Sequence, residues 1–340
     1  MKAHGTENLS RPARLKRPLL FALVFASAVC YGGDGRFPSR AQEPQDDDEV
    51  VRVATDLVVL NVTATNATGE YVHGLERANF KVYEDGREQQ ITNFTREETP
   101  FTAALLLDVS GSMEGRVSMA RSAAIRFLDG LRGEDTAAVY SFHLKVEQLQ
   151  DFSQSRDLAP IAYNLKAKGE TALHDAIVQA AKDLARRPEK RRAIIVLSDG
   201  ADTRSHASSD KALAAALEAN ATIYTVDMAD KLPNSFNATP AAGVLRDYAS
   251  KSGGRFVPTP GGRALREAFA EILEELSNQY TIGYRPANRA EDGRWRSIEV
   301  KVDRAEVTAR TRRGYRLTKK AKSKGVAKSG ESEGVKVSQP

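Results

Sequence analysis

Five oxygen-bearing side chains occupy short loops that border apolar segments of the sequence. They are two carboxylates and three hydroxyls: Asp108, Ser110, Ser112, Thr171 and Asp199. Alternate residues of the first loop can turn three oxygens toward one point, and Gly111 lets the backbone bend between them. A set without sulfur or imidazole suits Mg²⁺, with Mn²⁺ or Ca²⁺ as substitutes. The sequence therefore predicts an all-oxygen site for a divalent cation.

Apolar strands alternating with helical segments supply the frame for these loops. Buried strands are predicted from continuous apolar runs at 102–107, 136–142, 193–197 and 222–226. Helices are predicted from their periodicity at 117–131, 173–184, 210–219, 243–252 and 265–277. This alternation predicts an α/β fold with a doubly wound, mostly parallel sheet. The polar loops then meet at the carboxyl edge of the sheet, where such folds bind ligands.

The segments on either side of this α/β part have the pattern of short antiparallel strands. Residues 57–64 are dense in β-branched side chains, and Asp85-Gly86 is typical of a hairpin turn. Further strands are predicted at 280–284, 295–302 and 306–312. Neither 51–99 nor 279–317 is large enough for a two-layer core alone, so we expect one β-domain built from both. Its predicted shared core comprises Leu57, Val59, Val82, Ile282, Ile298 and Val300.

Taken together, the five polar residues resemble the metal-ion-dependent adhesion site of von Willebrand factor A domains. Asp108-x-Ser110-x-Ser112, Thr171 and Asp199 match that site in residue type, chain order and predicted element. The resemblance covers about residues 100–278, which we take as one domain. It implies that the three hydroxyls coordinate Mg²⁺ directly or through water, and that the two carboxylates do so partly through water.

The wider frame is similar to exported bacterial proteins that carry such a domain, notably the set found in Acidobacteria. The motifs that carry this resemblance are Val72-His73-Gly74-Leu75, the run from Asn79 to Gly86, Gln279-Tyr280 with Gly283-Tyr284, and Arg313-Gly314-Tyr315. This second resemblance implies architecture more than function.

The two ends of the chain differ in composition from its middle. Basic residues at 11–17 precede an apolar run at 19–29, which is too short to span a bilayer and fits a signal peptide. Small-x-small patterns at 26–28 and 39–41 offer cleavage sites, so we expect 1–41 to be a leader and 42–50 an acidic linker. The alternative is a short buried or membrane-proximal helix. Residues 318–340 are predicted to be a disordered basic tail.

We favour export with cleavage, to the periplasm, the cell envelope or the medium, over lipid anchoring at Cys30. This cysteine is the only one in the 340 residues, which excludes a disulfide scaffold and a cysteine-based metal site. No transmembrane helix is expected after the leader is removed. The net charge of +5 comes from the two ends, so a basic groove for nucleic acid is not expected.

No motif of the sequence indicates an enzyme. Within residues 100–278, a phosphate-binding Gly-x-x-x-x-Gly-Lys-Ser/Thr loop and a Gly-x-Ser-x-Gly nucleophile motif are both absent. The second aspartate of a phosphatase-type Asp-x-Asp motif is replaced by Ser110. The polar neighbours of the five residues are expected to be capping, surface or structural residues: Glu114, His174, Asp175, Asp202 and Asp227.

Two hypotheses of function follow. The first is metal-dependent binding or adhesion, in which the cation accepts an acidic group from a protein partner. The alternative is a scaffold or assembly factor of the cell envelope, in which the cation only stiffens the loops.

Overall fold

The computed structural model describes residues 57–96, 99–229, 240–258 and 262–317. The predicted leader, acidic linker and basic tail lie outside the described residues. The strands are β1 (Val58–Thr65), β2 (Phe80–Glu84), β3 (Arg87–Gln89), β4 (Ile91–Thr95), β5 (Phe101–Asp108), β6 (Thr136–Phe142), β7 (Val146–Ser153), β8 (Arg191–Ser198), β9 (Ala221–Asp227), β10 (Phe256–Pro258), β11 (Tyr280–Tyr284), β12 (Trp295–Val302), β13 (Thr308–Arg310) and β14 (Gly314–Arg316). The helices are α1 (Val117–Asp129), α2 (Leu173–Ala185), α3 (Ser209–Glu218), α4 (Pro240–Ser252) and α5 (Gly262–Ser277).

A six-stranded sheet forms the middle of the described chain, in the order β10-β9-β8-β5-β6-β7. All neighbours in it are parallel except β7, an edge strand that the apolar pattern did not predict because its side chains are half-buried or exposed. Helices α1 and α5 cover one face, and α2, α3 and α4 cover the other. Because both faces are covered, every residue of β5 is buried, which explains its continuous apolar run. The predicted fold class is confirmed.

The order of the strands sets where the polar loops meet. Strand β5 lies between β6 and β8: the chain leaves β5 through α1 to reach β6 on one side, and it returns from β7 through α2 to form β8 on the other side. The paired register of Leu107 and Leu197 brings the carboxyl ends of β5 and β8 side by side. This is the switch point of the sheet, where loops diverge and leave an open crevice.

Two four-stranded sheets are built from both flanking segments. Their orders are β13-β1-β11-β4 and β14-β12-β2-β3, so each sheet takes strands from before and after the α/β part. Leu60 is paired with Ile282 in one sheet, and Val82 with Val300 in the other. A single apolar cluster joins the two sheets and contains these four residues together with Ile298.

The face of β1 that enters this cluster differs from the prediction. Val58, Leu60 and Val62 are buried in the cluster, whereas Leu57 and Val59, which we expected there, are only half-buried. The strand carries apolar residues on both faces because its second face lies against the α/β part. Alternation along the strand therefore does not indicate which face enters the β-sheet core.

The last predicted strand, 306–312, is shorter than predicted, because only β13 (308–310) falls within it, and β14 (314–316), which was not predicted, follows in the other sheet. Strand β13 pairs with β1, and β14 pairs with β12. The chain crosses from one sheet to the other between Arg310 and Gly314, and Arg312 is buried at this crossing. Short ladders of three residues are too small for the sequence pattern to separate.

The sequence motifs of the two flanks meet at one buried carboxylate. The phenolic hydroxyls of Tyr284 and Tyr315 donate to Oε2 of Glu84 at 2.7 Å and 2.8 Å, and Arg296 lies 3.5 Å from its Oε1. Next to Glu84, Asp85 adopts a positive φ of 49°, as a tight hairpin turn requires. These motifs therefore hold the two β-sheets together.

Among the helices of the described ranges, none has the length and apolar character needed to cross a bilayer.

Candidate functional site

Asp108 is the centre of the candidate site. It ends β5, and its side chain is completely buried. Its Oδ1 accepts a hydrogen bond from the backbone N–H of Ser110 at 2.9 Å, and its Oδ2 accepts one from Oγ of Ser198 at 2.5 Å. These neutral donors orient the carboxylate without neutralising its charge.

The loop after β5 brings the next two predicted residues together. Ser110 Oγ and Ser112 Oγ lie 3.1 Å apart, with Ser110 buried and Ser112 exposed. The backbone N–H of Gly111 donates to the carbonyl oxygen of Gly169 at 2.9 Å, which ties this loop to the loop before α2. A Cβ at Gly111 would lie 3.2 Å from that oxygen, so the approach favours glycine.

Thr171 lies on this second loop and is buried. Its backbone N–H donates to Oγ1 of Thr203 at 3.0 Å, and its carbonyl oxygen accepts from the N–H of Thr203 and of Arg204 at 2.9 Å and 3.0 Å. These bonds attach Thr171 to the loop that follows β8. The three loops that carry the predicted residues are thus joined by backbone hydrogen bonds.

Asp199 is the second carboxylate and follows β8 directly. It is half-buried, and its Oδ1 accepts from the N–H of Ala201 at 3.2 Å. The pKa of Asp108 is raised to about 6, chiefly by burial and to a smaller extent by the charge of Asp199, against the lowering effect of the hydrogen bonds from Ser110 and Ser198. In the described part of the chain, neither carboxylate forms an ion pair with Lys or Arg, and the nearby Arg204 pairs instead with Glu170 at 2.6 Å.

Two functional positions were missed or misjudged from the sequence. Ser198 is fully buried and holds Asp108, yet as the last residue of an apolar strand it gave no signal beyond standing before Asp199. Asp202, expected to be a solvated loop residue, is half-buried and accepts from the N–H of His174 at 2.9 Å and from Oγ of Ser205 at 2.6 Å. It caps the start of α2, which a local reading of the loop cannot show.

The other polar neighbours support the loops. Asp175 accepts from the backbone N–H groups of His206 and Ala207, both at 2.9 Å. Asp227 is buried at the end of β9 and accepts from the N–H of Ala229 at 3.0 Å. Glu114 is exposed.

The donor set fits a hard divalent cation. No group of three or more His, Cys, Asp or Glu side chains that could hold a metal ion occurs among the described residues. The predicted set has only two carboxylates, and its other three ligands are hydroxyls of Ser and Thr, so it is not a group of that kind. An uncompensated buried carboxylate beside a second one is the arrangement that a cation stabilises, and oxygen donors suit Mg²⁺.

Residues 103–201 match the family described as von Willebrand factor type A domain. The α/β part therefore resembles this family. The matched range contains all five predicted residues. No curated protein matches the chain.

Several solved structures are similar to this chain at low identity. One is the von Willebrand factor type A protein from Catenulispora acidiphila, 14% identical, with a TM-score of 0.44 over 73% of this chain and 76% of that one. Another is the PilB minor pilin from Streptococcus sanguinis, 16% identical, with a TM-score of 0.42 over 56% and 63%. A third is the A-type domain of the type V pili tip protein Mfa5 from Porphyromonas gingivalis, 15% identical, with a TM-score of 0.41 over 52% and 95%.

Proposed function

We propose that the carboxyl edge of the central sheet holds a divalent cation, Mg²⁺ first, and that a protein partner presents an acidic group to it. The observation that carries the proposal is the buried carboxylate of Asp108, which lies near Asp199 with no cationic partner in the described part of the chain. The exposed Ser112 marks the side from which a partner can approach.

The carboxylates and the hydroxyls of the site would have different roles at the bound cation. Asp108 and Asp199 would balance the charge of the cation, and the hydroxyls of Ser110, Ser112 and Thr171 would complete its oxygen shell. Because hydroxyls are neutral, the bound ion keeps net positive charge and attracts a carboxylate, which is the chemistry it supplies. Hydrogen bonds from Ser198 and the Ser110 N–H hold Asp108 in one orientation beforehand.

We propose binding rather than catalysis at this edge. The imidazole nearest in sequence to Thr171 is His174, whose Nδ1 lies 2.8 Å from the hydroxyl of Tyr248 and 3.7 Å from Asp202. These contacts support a structural role for His174 rather than that of a base held against a nucleophile. The proposal also places the protein outside the cytoplasm, on the strength of the basic and apolar pattern at 11–29.

The first test is calorimetric titration of Mg²⁺ and Mn²⁺ into the chelator-treated chain. We expect one site in the native protein and at least about a hundredfold loss of affinity in Asp108→Asn, because one of two balancing charges is removed. The matched control is Asp129→Asn, an exposed aspartate at the far end of α1, roughly 20 Å along that helix. Equal affinity in Asp108→Asn and the native chain would refute the site.

The second test asks whether the bound ion accepts a carboxylate. With Mn²⁺ bound to the native chain, we expect strong broadening of the carboxyl resonance of ¹³C-labelled acetate. We expect this broadening to be absent with Asp108→Asn. The scaffold hypothesis predicts a different result. The ion then raises the melting temperature, but the acetate resonance is no broader than in the metal-free control, Asp129→Asn without Mn²⁺.

A further inference from the structure

A cleft of about 870 Å³ lies between α3 and the flanking β-strands. Leu213 and Leu217 of α3 line it on one side, and Trp295 and Leu317 line it on the other. Its volume falls within the range of small-molecule binding sites. None of the five predicted metal ligands belongs to its lining, so it is a second site that does not depend on the proposed function.

The charges around this cleft are strongly one-sided. Its lining includes two acidic residues, Asp210 and Glu218, and five basic residues: Lys211, Lys251, Arg312, Arg313 and Arg316. Of the five, Lys251 is already paired with Asp247 at 2.9 Å. Lys211, Arg313 and Arg316 are exposed, so they present positive charge to anything entering from solvent. An apolar floor with a basic rim is complementary to a molecule that has an apolar body and a negative group.

Arg312 is the unusual member of this set because it is only 8% exposed. Its Nη1 donates to the carbonyl oxygen of Leu217 at 3.0 Å and to Oδ1 of Asn220 at 3.4 Å, and its guanidinium lies 5.4 Å from the ring centre of Tyr315. In the described ranges it forms no ion pair with a carboxylate, and its Nε is buried without a hydrogen-bond partner.

Arg296 is a second buried arginine of this region, and unlike Arg312 it has a carboxylate partner. Arg296 is also buried, at 2% exposure, but it lies 3.5 Å from Glu84. Glu84 already accepts hydrogen bonds from Tyr284 and Tyr315 as well. Glu84 is thus paired with Arg296. Its charge also attracts Arg312, but in the described ranges the two form no ion pair, so Arg312 keeps a buried charge without a hydrogen-bonded counter-ion. Such a charge is costly unless a counter-ion supplies the pair.

We propose that this cleft binds a single-chain amphiphile with an anionic head group, either a carboxylate or a phosphate. The head group pairs with Arg312 and the basic rim, because a guanidinium can donate two parallel hydrogen bonds to either anion. The apolar chain lies along Leu213, Leu217 and Trp295.

The fluorescence of Trp295 provides a direct test, since this is the single tryptophan of the chain. We expect a saturable change in its emission when dodecanoate or dodecyl phosphate is added to the full chain below the micelle concentration. The ratio of the two affinities distinguishes a carboxylate from a phosphate ligand. Dodecanol and dodecyltrimethylammonium have the same apolar chain without the negative charge, and we expect at least tenfold weaker binding of both.

Two sets of variants locate the binding. Arg312→Gln removes the buried charge, and the double variant Lys211→Glu with Arg313→Glu reverses the exposed rim. We expect each to weaken dodecanoate binding by at least about tenfold, whereas Lys81→Glu, an exposed lysine on β2, leaves it unchanged. If Arg312→Gln does not fold, the rim variant decides. Absence of a saturable response, equal binding of dodecanol, or unaltered affinity in the rim variant would overturn the proposal.

Discussion

Asp108 and Glu275 are both completely buried carboxylates, yet their surroundings are opposite. Glu275, on α5, faces the flanking strands, where Arg310 lies 2.5 Å and Arg255 3.3 Å from its Oε2. Its Oε1 accepts from the hydroxyl of Tyr224 at 2.8 Å. Asp108 receives hydrogen bonds only from neutral groups among the described residues and lies near a second carboxylate.

This difference separates a structural carboxylate from a candidate binding carboxylate. The charge of Glu275 is balanced by arginines of the chain itself, one on β13 and one just before β10, so it joins the α/β part to the flanking strands. The charge of Asp108 is not balanced in this way, and burial together with the charge of Asp199 raises its pKa. Burial of an acid is therefore informative only together with the charge of its neighbours.

The largest effect is expected at the balanced carboxylate. Glu275→Ala leaves Arg310 without its carboxylate, leaves Arg255 paired with Glu271 alone and removes the acceptor of the Tyr224 hydroxyl. We expect the free energy of unfolding to fall by about 4 kcal/mol. Urea denaturation followed by circular dichroism measures it. The matched control is Glu267→Ala on the same helix, whose ion pair with Arg263 at 2.6 Å is exposed and should contribute less than about 0.5 kcal/mol. Similar losses in both variants would contradict the structural role of Glu275.

At Asp108, in the presence of a chelator, we expect the opposite result: removal of the carboxylate charge should raise the free energy of unfolding. Its pKa of about 6 in the folded state exceeds the ordinary value of 3.8, so the folded state binds this proton more tightly. Stability from this group is therefore complete below pH 4 and is lost as the pH rises to about 6, by about 3 kcal/mol. At pH 8, Asp108→Asn should be more stable than the native chain by up to that amount.

The same urea experiment at pH 4 and pH 8 checks this prediction. The gain from Asp108→Asn should disappear at pH 4, and Asp129→Asn should give no gain at either pH. A lower stability of Asp108→Asn at pH 8 would mean that the carboxylate is balanced after all.

The smallest effect concerns a neutral partner of Glu275. Thr63 donates from Oγ1 to Oε1 of Glu275 at 3.3 Å and accepts from Nε2 of Gln279 at 3.3 Å. Thr63→Val removes these bonds but keeps both arginines, so we expect a loss of about 1 kcal/mol. Thr65→Val, on the same strand but only half-buried, is the control: it removes a single hydroxyl contact, with Thr308 at 3.3 Å, and should cost less than Thr63→Val. A loss as large as that of Glu275→Ala would show that hydrogen bonds rather than charge dominate this cluster.

Local sequence was sufficient for much of the fold. The buried strands and amphipathic helices of the α/β part produce patterns within ten to fifteen residues, and these placed Asp108 and Asp199 after neighbouring strands. The turn at Asp85-Gly86 was also predicted, since its backbone requires residues that tolerate a positive φ. Whether these five oxygen ligands bind a metal stays a prediction.

The remaining features depend on pairs of residues that are far apart in the chain. Which face of β1 enters the β-sheet core was decided by α5 and β9, because contacts such as Asn61 with Thr222 and Thr63 with Glu275 bury its second face. Asp202 became a cap because the turn after β8 reaches the start of α2.

The sequence by itself determined the alternation of strands and helices and the oxygen-rich loops, since both depend on residues that are close together in the chain. Only the tertiary structure decided which buried charges are balanced. Glu275 meets Arg310 across the junction, whereas Arg312, two residues further on, meets no carboxylate among the described residues. The physical reason is that charge balance depends on distances of a few ångströms between residues that strand register and sheet order bring together.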